Sequence, residues 1–511
     1  MSAGCESRTV ARGAIGGGRS TNVHVIPMTT YVCVYFGSLA LALIATPIVI
    51  RMARDRGILD SPDPRKVHRK PVPRIGGLAI YIAMMGLSVP VLFLPNAIGQ
   101  SFRAIAPQVA TVLASGTIML LVGLVDDIRS LRARTKLMAQ LAAATLVCAA
   151  GVRIEAVSFG NGVVVSFGWL AWPLTVLWIV GITNAVNLSD GLDGLAAGIA
   201  AVACGVIAIY AMHTSNVMMA VLMLSLLGSL TGFLYFNFSP ARIFMGDSGS
   251  LFLGMILGSS SVLCAAKTAT LVGLALPVVA LGVPIFDTFF SMLRRFLQRR
   301  SLFAPDRSHF HHRLLAMGLR QRHAVLMAYA LTLAGTALGL FMLFTQGAQT
   351  VVIFGCILLL FVLVFRAVGS IRLRETIEGI CRNRQISARR KQELAHFERI
   401  ELHFRHASGF DQWWEAVCEA AEALDFARSR MCVQSRDGTQ RELLWEKAPD
   451  DGRTPADDVV RLTIPIRDRR GSGPASLQIE VNANGSLESA GHRLTLFGRL
   501  AGEYPIANLR D

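Results

Sequence analysis

The chain has 511 residues, of which 53% are hydrophobic and 16% are charged, and its mean hydropathy is +0.49. This composition excludes an ordinary soluble protein over most of the length and indicates a membrane protein with many spans. The net charge of +16 does not indicate nucleic-acid binding, because the basic residues cluster in short loops beside apolar segments, where membrane orientation accounts for them. We therefore expect contact with membrane lipid and no nucleic-acid partner.

Residues 1–29 are rich in Gly, Ser and Arg and lack the apolar segment of a cleavable signal peptide. We expect them to form a disordered N-terminal extension. The same composition suggests Met28 as an alternative start of the protein.

Apolar runs recur from residue 30 to residue 368. A helix of roughly 20 residues crosses about 30 Å of hydrocarbon, so the runs predict about eleven transmembrane helices. The fourth and the eighth are short. The predicted spans lie near residues 30–50, 76–95, 105–125, 136–151, 168–184, 192–212, 216–236, 249–266, 270–293, 323–344 and 350–368.

Positive charge is unevenly distributed among the connecting loops. The loops after the first, third and ninth predicted spans are rich in Lys and Arg, whereas the alternate loops hold only Arg103, Arg153 and Lys267. Because Lys and Arg remain on the cytoplasmic side of a membrane, we expect the N-terminus outside and the C-terminus in the cytoplasm.

From about residue 370 the sequence becomes polar and charged. Residues 369–405 form a basic segment with helical character, and residues 406–511 contain four apparent strands and a final helix from about Leu487. The predicted fold class is therefore an all-α polytopic membrane protein with a small C-terminal α+β cytoplasmic domain, similar to sensory GAF or PAS modules. A homodimer or a biosynthetic complex formed through this domain is one expected role.

Acidic residues concentrate in the loops that share the basic side. Asp126 and Asp127 end the third predicted span, and such adjacent carboxylates raise each other's pKa unless a cation lies beside them. That cation is either a basic neighbour such as Lys136 or Mg²⁺, which takes one or two carboxylates together with substrate phosphates. Asp247 is by itself an ordinary helix N-cap; together with the other acids it is a candidate metal ligand.

The stretch NAVNLSDGLDG carries Asn187, Asp190 and Asp193 between two apolar runs. If Asp190 begins the sixth helix, Asp193 lies on the same face and points at the same site. Asp190 also has an interpretation as the cap of that helix. We therefore regard Asp193 as the stronger candidate for chemistry.

Two further loops on this side are basic. Lys66, His68 and Arg69 fit either a positive-inside anchor or a site for an anionic lipid phosphate. The loop before Asp247 adds Arg242 and Asn237 as candidate nucleotide contacts. Three histidines lie within four residues after Arg307 without thiols or metal-spaced partners, so diphosphate binding is favoured over zinc; they are His309, His311 and His312.

Five motifs occur in one order along residues 30–368: DSPDPRKVHRKPVPRIGG, GLVDDIRSLRARTK, NAVNLSDGLDGLAAG, IFMGDSGSLFLG and SHFHHRLL. This series resembles the bacterial polyprenyl-phosphate N-acetylhexosamine-1-phosphate transferases of glycosyltransferase family 4. The segment His309–His312 is similar to the branch that uses UDP-N-acetylglucosamine. It is less similar to the branch that uses UDP-N-acetylmuramoyl-pentapeptide.

The resemblance implies transfer of a hexosamine phosphate, with GlcNAc favoured, from a UDP-sugar to undecaprenyl phosphate at the bacterial inner membrane. The product starts a cell-surface polysaccharide such as O-antigen or exopolysaccharide. Mg²⁺, with Mn²⁺ as the alternative, is expected on Asp247, Asp126 and Asp127, and the expected catalytic residues are Asp126, Asp127 and Asp193. The expected substrate-binding residues are Asn187, Asp190, Lys136, Arg242, Arg307, His309, His311, His312, Lys66, His68 and Arg69.

Three alternatives stay open. One is a translocase-type enzyme that uses UDP-N-acetylmuramoyl-pentapeptide. Another is a transporter of an anionic lipid or sugar phosphate, although no internal repeat and no polar residues in mid-membrane support it. The third is a membrane sensor with an inert transferase region, against which the presence of all the acids argues.

Overall fold

The computed structural model describes residues 28–61, 71–93, 99, 102–103, 105–160, 163–268, 270–297, 309–369, 398–434, 440–447, 459–466, 475–482 and 487–505. The chain forms two compact units, Met1–Thr376 and Ile377–Asp511. Each is described by itself. The N-terminal extension with its alternative start at Met28, and most of the predicted linker, lie outside the described residues.

The first unit is a bundle of helices. Its helices are α1 Met28–Asp55, α2 Gly77–Leu92, α3 Ala106–Arg129, α4 Ala133–Ala149, α5 Ala171–Ser189, α6 Leu195–His213, α7 Val217–Asn237, α8 Gly246–Thr268, α9 Leu271–Ala280, α10 Gly282–Leu297, α11 Phe310–Ala316, α12 Gln321–Phe341 and α13 Ala348–Ala367. Two short antiparallel strand pairs accompany them, β1 Leu59–Asp60 with β2 Val72–Pro73, and β3 Ala156–Gly160 with β4 Val163–Ser166.

Eight helices within the described part of the chain are long and apolar enough to cross a membrane, and a ninth span results if the bent pair α9–α10 counts as one. The predicted number of eleven spans is not confirmed. The eighth predicted span is a full candidate, Gly246–Ala266. The fourth corresponds to α4, a helix of 17 residues. The ninth is broken, because α9 and α10 meet at 78°.

Helix α8 runs through the centre of the bundle and packs on both α3 and α5. Small residues permit this close approach. A Cβ on Gly77 would lie 2.1 Å from the backbone of Gly249, and a Cβ on Gly123 would lie 2.4 Å from the carbonyl of Asp247. The start of α8 is therefore in direct backbone contact with α2 and α3.

A short backbone ladder joins two distant loops at the same place. The amide of Phe244 donates to the carbonyl of Pro73 at 2.7 Å, and the amides of Gly76 and Gly77 donate to the carbonyls of Phe244 and Met245 at 2.9 Å. This ladder fixes the chain immediately before α8 against the chain immediately before α2.

The second unit is a four-stranded antiparallel sheet with helices on one face. The strands β5 Phe426–Gln434, β6 Gln440–Glu446, β7 Val459–Ile466 and β8 Ala475–Asn482 pair in the order β6-β5-β8-β7. Helices α14 Phe410–Ala423 and α15 Leu487–Glu503 cover the sheet. Phe404, from the helical residues 398–406, packs into the same core. The predicted strands and the final helix are therefore present.

Candidate active site

The adjacent acids Asp126 and Asp127 occupy the C-terminal end of α3 and point in different directions. Arg74, from the loop before α2, donates hydrogen bonds to the carbonyl oxygens of both residues. These carbonyls belong to the last turn of the helix, where backbone partners run out; that of Asp126 also accepts the N–H of Ser130 at 2.8 Å. Arg74 therefore fixes the end of α3, and with it the directions of the two carboxylates.

Asp127 is buried, with 6% of its surface exposed, and holds the start of α8. Its carboxylate oxygens accept hydrogen bonds from the backbone N–H groups of Asp247 and Ser248, both at 3.0 Å. Gly246 precedes them with φ of +72°, and a Cβ there would lie 2.6 Å from the Asp127 carboxylate. A glycine is therefore required at this position.

Asp126 faces the open side of the site, where a lysine lies between two carboxylates. The ammonium of Lys136 is 3.2 Å from Oδ2 of Asp126 and 2.6 Å from Oδ2 of Asp247. Asn187 donates to Oδ1 of Asp247 at 3.0 Å and to the hydroxyl of Ser250 at 2.8 Å. Residues from four separate helices, α3, α4, α5 and α8, therefore form one cluster.

A pair of amides holds α4 against α5 one turn away from this cluster. Asn184 donates to the side-chain carbonyl of Gln140 at 2.6 Å, and Gln140 donates back at 3.4 Å. Gln140 lies four residues after Lys136 and Asn184 lies three residues before Asn187, so each amide shares a helix face with a member of the cluster. The pair fixes the spacing of the two helices that supply Lys136 and Asn187.

Asp190 does not begin α6, contrary to the expectation from the sequence. It follows the last turn of α5, and α6 starts only at Leu195, with Gly194 in the left-handed conformation at φ +81°. The Asp190 carboxyl interacts electrostatically with the backbone N–H of Gly246 at the start of α8. Burial, and then the negative charges of Asp247, Asp127 and Asp193, raise the pKa of Asp190 well above its usual range.

Asp193 serves a neighbouring loop. Its Oδ2 accepts the backbone N–H of Ala241 at 3.1 Å, so its observed contact is with the chain between α7 and α8. Asn237 also serves this loop, because its amide donates to the carbonyl of Ile243 at 2.8 Å. Arg242 is exposed in the same loop. The predicted nucleotide contacts of Asn237 and Arg242 stay predictions.

The histidine segment, His309–His312, lies against the acidic loop that carries Asp190 and Asp193. A Cβ on Gly191 would lie 2.6 Å from Nε2 of His311, a side chain that is 4% exposed. Burial lowers the pKa of His311 to about 4, so this imidazole is neutral at pH 7. The ring of His312 is 4.3 Å from that of His311, between centroids.

His309 begins this segment and contacts an acid from another helix. Its Nδ1 lies 3.0 Å from Oδ2 of Asp287 in α10, and Oδ1 of the same carboxylate accepts the backbone N–H of Phe310 at 2.7 Å. Lys66, His68, Arg69 and Arg307 lie outside the described residues. Their predicted roles stay predictions.

Sequence reasoning missed Arg74, Asp287 and the pair Gln140–Asn184. Asp287 had a signal, because an acid inside the apolar stretch VPIFDTFF is costly unless it has a partner. The same rule applies to Gln140 in α4. Arg74 had no distinguishing signal among the many basic residues of its loop.

The cluster fits a hard divalent cation. Within the described ranges, no three His, Cys, Asp or Glu side chains are arranged to hold a metal. Mg²⁺, however, needs only one or two carboxylates when water and substrate phosphates supply its other ligands. Asp126 and Asp247 are two such carboxylates, and they already share one positive charge, that of Lys136.

The spans define a multi-pass membrane protein, and the polar cluster lies at one end of its bundle. The profile of glycosyl transferase family 4 matches residues 109–265. A probable undecaprenyl-phosphate N-acetylglucosaminyl 1-phosphate transferase of Bacillus subtilis is 41% identical over 309 residues, covering 59% of this chain and 82% of the relative. The chain belongs to this family of polyprenyl-phosphate hexosamine-1-phosphate transferases.

Two other kinds of relative are more distant. A decaprenyl-phosphate N-acetylglucosaminephosphotransferase of Mycolicibacterium smegmatis is 34% identical over 326 residues, covering 60% of this chain and 80% of the relative. A phospho-N-acetylmuramoyl-pentapeptide-transferase of Wolbachia pipientis is 29% identical over 305 residues, covering 54% and 89% respectively.

Proposed function

We propose that this protein transfers N-acetylglucosamine 1-phosphate from UDP-N-acetylglucosamine to undecaprenyl phosphate and releases UMP. The observation that carries the proposal is the cluster of Lys136, Asp126, Asp247 and Asn187, which four helices bring together at one end of the bundle. The relatives named for N-acetylglucosamine are 41% and 34% identical, whereas the muramoyl-pentapeptide relative is 29% identical. This difference favours N-acetylglucosamine over the translocase-type alternative.

The proposed reaction forms one bond and breaks one bond. An oxygen of the lipid phosphate attacks the β-phosphorus of the UDP-sugar, and the bond from that phosphorus to the bridging oxygen breaks, so that UMP leaves. A phosphate monoester with a second pKa of about 6 is already mostly dianionic at neutral pH. A protein base is therefore not required, and the protein contributes alignment and neutralisation of charge.

Each described residue of the cluster has a chemical task in this scheme. Mg²⁺, held by Asp247 and Asp126, would supply neutralisation of the diphosphate charge. Lys136 would neutralise the phosphate oxygens that approach the two carboxylates. Asn187 holds Asp247 in place through Oδ1, and Asp127 holds the start of the helix that carries Asp247. His311 is neutral at pH 7 and would donate a hydrogen bond without bringing a charge.

Helix α10 offers a surface for the lipid substrate. Asp287, Thr288 and Ser291 are buried on one side of the helix, whereas Phe289 and Phe296 are 57% and 72% exposed on the other. These two phenylalanines are seven residues apart and share one face of the helix. We assign this apolar face to the isoprenoid chain, which would bring the lipid phosphate close to the histidine segment that Asp287 holds.

We also propose that α2 and α4 cross the membrane, which gives eleven crossings with α9 and α10 counted together. Helices α3 and α5 both end at the cluster. The chain must therefore leave that end through α4 and return through α5. The basic loops at this end place it in the cytoplasm, at the bacterial inner membrane, with the N-terminus outside.

The second unit is proposed to act in assembly or regulation. The proposed divisions are a terminal extension over 1–29, the transferase over 30–368, a linker over 369–405 and an α+β domain over 406–511. Among the described residues, the sheet and the core of the second unit are formed from residues 400–504. This supports a separate domain that forms a homodimer or binds a biosynthetic partner.

The test is label transfer by the full chain in lipid nanodiscs. UDP-N-acetylglucosamine labelled in the sugar and undecaprenyl phosphate should give a labelled lipid and an equal amount of UMP. EDTA should stop the reaction and Mg²⁺ should restore it, with Mn²⁺ as a parallel sample. Absence of labelled lipid, with the Bacillus subtilis relative active alongside, would refute the proposal.

The metal assignment is tested at Asp247. Asp247→Asn should abolish UMP release even at raised Mg²⁺, because an amide replaces one of two carboxylates. Glu155→Gln is the matched control, since this acid is exposed and lies between α4 and α5, at the other end of both helices. Substantial activity of Asp247→Asn would show that the metal is held elsewhere.

A further inference from the structure

Both oxygens of the Asp287 carboxylate contact the segment that carries the three histidines. Oδ1 accepts the backbone N–H of Phe310 at 2.7 Å, and Oδ2 lies 3.0 Å from Nδ1 of His309. Asp287 is 5% exposed and His309 is 6% exposed. A buried carboxylate on an apolar helix requires such partners, because without them its desolvation is unfavourable.

The hydrogen bond between Asp287 and His309 defines which nitrogen of the imidazole carries hydrogen. A carboxylate at this distance accepts a proton from Nδ1, so His309 carries hydrogen on Nδ1 and its Nε2 is free to face a ligand. The rings of His309 and His311 are nearly parallel, at 7°, with 5.8 Å between their centroids. His311 in turn contacts Gly191 of the acidic loop. The orientation of His309 therefore affects the whole histidine cluster.

Asp287 also lies on the helix with the exposed apolar face. Its neighbours on the buried side are Thr288 and Ser291, and the opposite side presents Phe289 and Phe296. The carboxylate therefore joins two parts of the molecule, the lipid-facing helix α10 and the histidine segment. Two contacts therefore connect α10 to the histidine segment, one to the side chain of His309 and one to the backbone of Phe310.

We propose that Asp287 is a positioning residue for the transfer reaction, which orients His309 toward the diphosphate of the sugar nucleotide and couples the lipid-binding helix α10 to that substrate. The inference rests on the proposed function. Asp287 touches no substrate in this scheme. It acts through His309 and Phe310.

The variant Asp287→Asn keeps the hydrogen bond to Phe310 and changes the one to His309. The amide oxygen still accepts the N–H of Phe310, but the amide nitrogen takes the place of Oδ2 and donates to Nδ1 of His309. The ring then changes tautomer and loses its negative partner, while the backbone contact is kept. We expect kcat/KM for UDP-N-acetylglucosamine to fall by about 10- to 100-fold, the usual effect of losing a hydrogen bond to a charged group. Most of this change should appear as a higher KM for UDP-N-acetylglucosamine.

Thr288→Val is the matched control. Thr288 is the next residue of α10, it is buried, and its hydroxyl has no hydrogen-bond partner in the described structure. The replacement has nearly the same shape, so it perturbs the same helix without altering the contact with the histidine segment. Its kinetic constants should equal those of the unaltered protein.

A kinetic double-mutant cycle with His309→Phe distinguishes positioning from general support of the fold. If Asp287 acts through His309, Asp287→Asn should add no more than about twofold in the His309→Phe background. Selective ¹⁵N labelling of histidine gives a readout that does not depend on turnover. The His309 signal, assigned by its loss in His309→Phe, should show hydrogen on Nδ1, and Asp287→Asn should shift that hydrogen to Nε2.

The outcomes are distinct. If the unaltered protein transfers label but Asp287→Asn has unchanged kcat/KM, the inference is wrong and the proposed function stands. Equal losses in both His309 backgrounds, or an unchanged ¹⁵N signal, would also overturn it. If the unaltered protein transfers no label while the relative is active, the proposed function fails and the inference fails with it.

Discussion

The adjacent acids Asp126 and Asp127 should respond to the same substitution in opposite ways. Asp127 accepts two backbone N–H groups at the start of α8, so it is expected to act on stability. Asp126 accepts the backbone N–H of Leu131 at 2.6 Å through Oδ1 and faces Lys136 through Oδ2. It is therefore expected to act on the reaction. Asparagine at either position keeps the shape and removes the charge.

The expected magnitudes follow from these contacts. In Asp127→Asn, one N–H keeps its acceptor and the other faces an amide NH₂. A hydrogen bond to a charged group contributes roughly 1.5–3 kcal/mol, and a negative charge at a helix N-terminus adds about 0.3–1 kcal/mol. The loss should be about 3 kcal/mol, which lowers the unfolding midpoint by several degrees. In Asp126→Asn, the bond to Leu131 is kept and Lys136 retains Asp247, so the loss should be about 1 kcal/mol.

The loss of activity should follow the reverse order. When each variant is assayed in its folded state, Asp126→Asn should lose more activity than Asp127→Asn. Asp126→Asn should lower the rate of UMP release by roughly 100-fold or more, as expected when a preorganised charge at a reacting centre is removed. Unfolding is followed by scanning fluorimetry in detergent at one scan rate, and UMP by a coupled assay below both midpoints. If Asp127→Asn unfolds no earlier than Asp126→Asn, the role assigned to Asp127 is wrong. Normal UMP release by Asp126→Asn would exclude Asp126 from the reaction.

Two further predictions concern backbone geometry and pH. Gly246→Ala should destabilise the protein more than Gly318→Ala. Both glycines have positive φ, +72° and +90°, but a Cβ at Gly246 would lie 2.0 Å from the Arg74 carbonyl, whereas a Cβ at Gly318 would meet open space. Equal unfolding midpoints in fluorimetry would contradict this prediction. The pKa of His311 is lowered to about 4 in the folded protein against about 6.5 when unfolded, so the unfolded chain binds more protons between these values. The contribution of neutral His311 to the free energy of unfolding is therefore fully present above pH 6.5 and decreases toward pH 4, by at most about 3 kcal/mol. In chemical unfolding, His311→Phe should show a shallower decrease of stability over this window. An unchanged slope would contradict the prediction.

Hydrophobic patterning predicted most of the helices, because a lipid-facing or buried helix leaves a long apolar run in the sequence. It predicted one continuous span over residues 270–293 and did not predict the bend between α9 and α10. Its apolar content is continuous while its direction changes by 78° at Leu281. The strands and the final helix of the second unit were also predicted, because their alternation and length are local properties.

Which of two adjacent acids points inward depends on the rotation of α3, and a signal for that rotation is present in the sequence. Consecutive residues of a helix differ by about 100° in direction, so the side chains of Asp126 and Asp127 leave α3 in different directions. Gly116, Leu120 and Gly123 are buried on the face that also carries Asp127. Two glycines at this spacing mark the side on which another backbone comes close. Asp127 could have been assigned to that side from this pattern.

The stretch NAVNLSDGLDG shows why local reasoning misses the partners of a residue. Asp190 was expected to cap the sixth helix because it stands beside a helix start, but α6 begins only at Leu195. The groups that act on the Asp190 carboxyl lie around the start of α8, at Asp127, Gly246 and Asp247, more than fifty residues away in sequence. Of the four N–H groups that a helix start leaves without partners, Asp127 satisfies two, those of Asp247 and Ser248.

This arrangement also accounts for the position of Asp247. Its backbone N–H is held by Asp127 and its Oδ1 by Asn187, so side chains from α3 and α5 fix its position. Asp193, which the sequence favoured for chemistry, accepts the N–H of Ala241 in the loop that leads to the same helix, and its catalytic role stays a prediction. Under the proposed function, Asp126 and Asp247 are the carboxylates assigned to the cation, and Asp127 fixes the helix that carries Asp247.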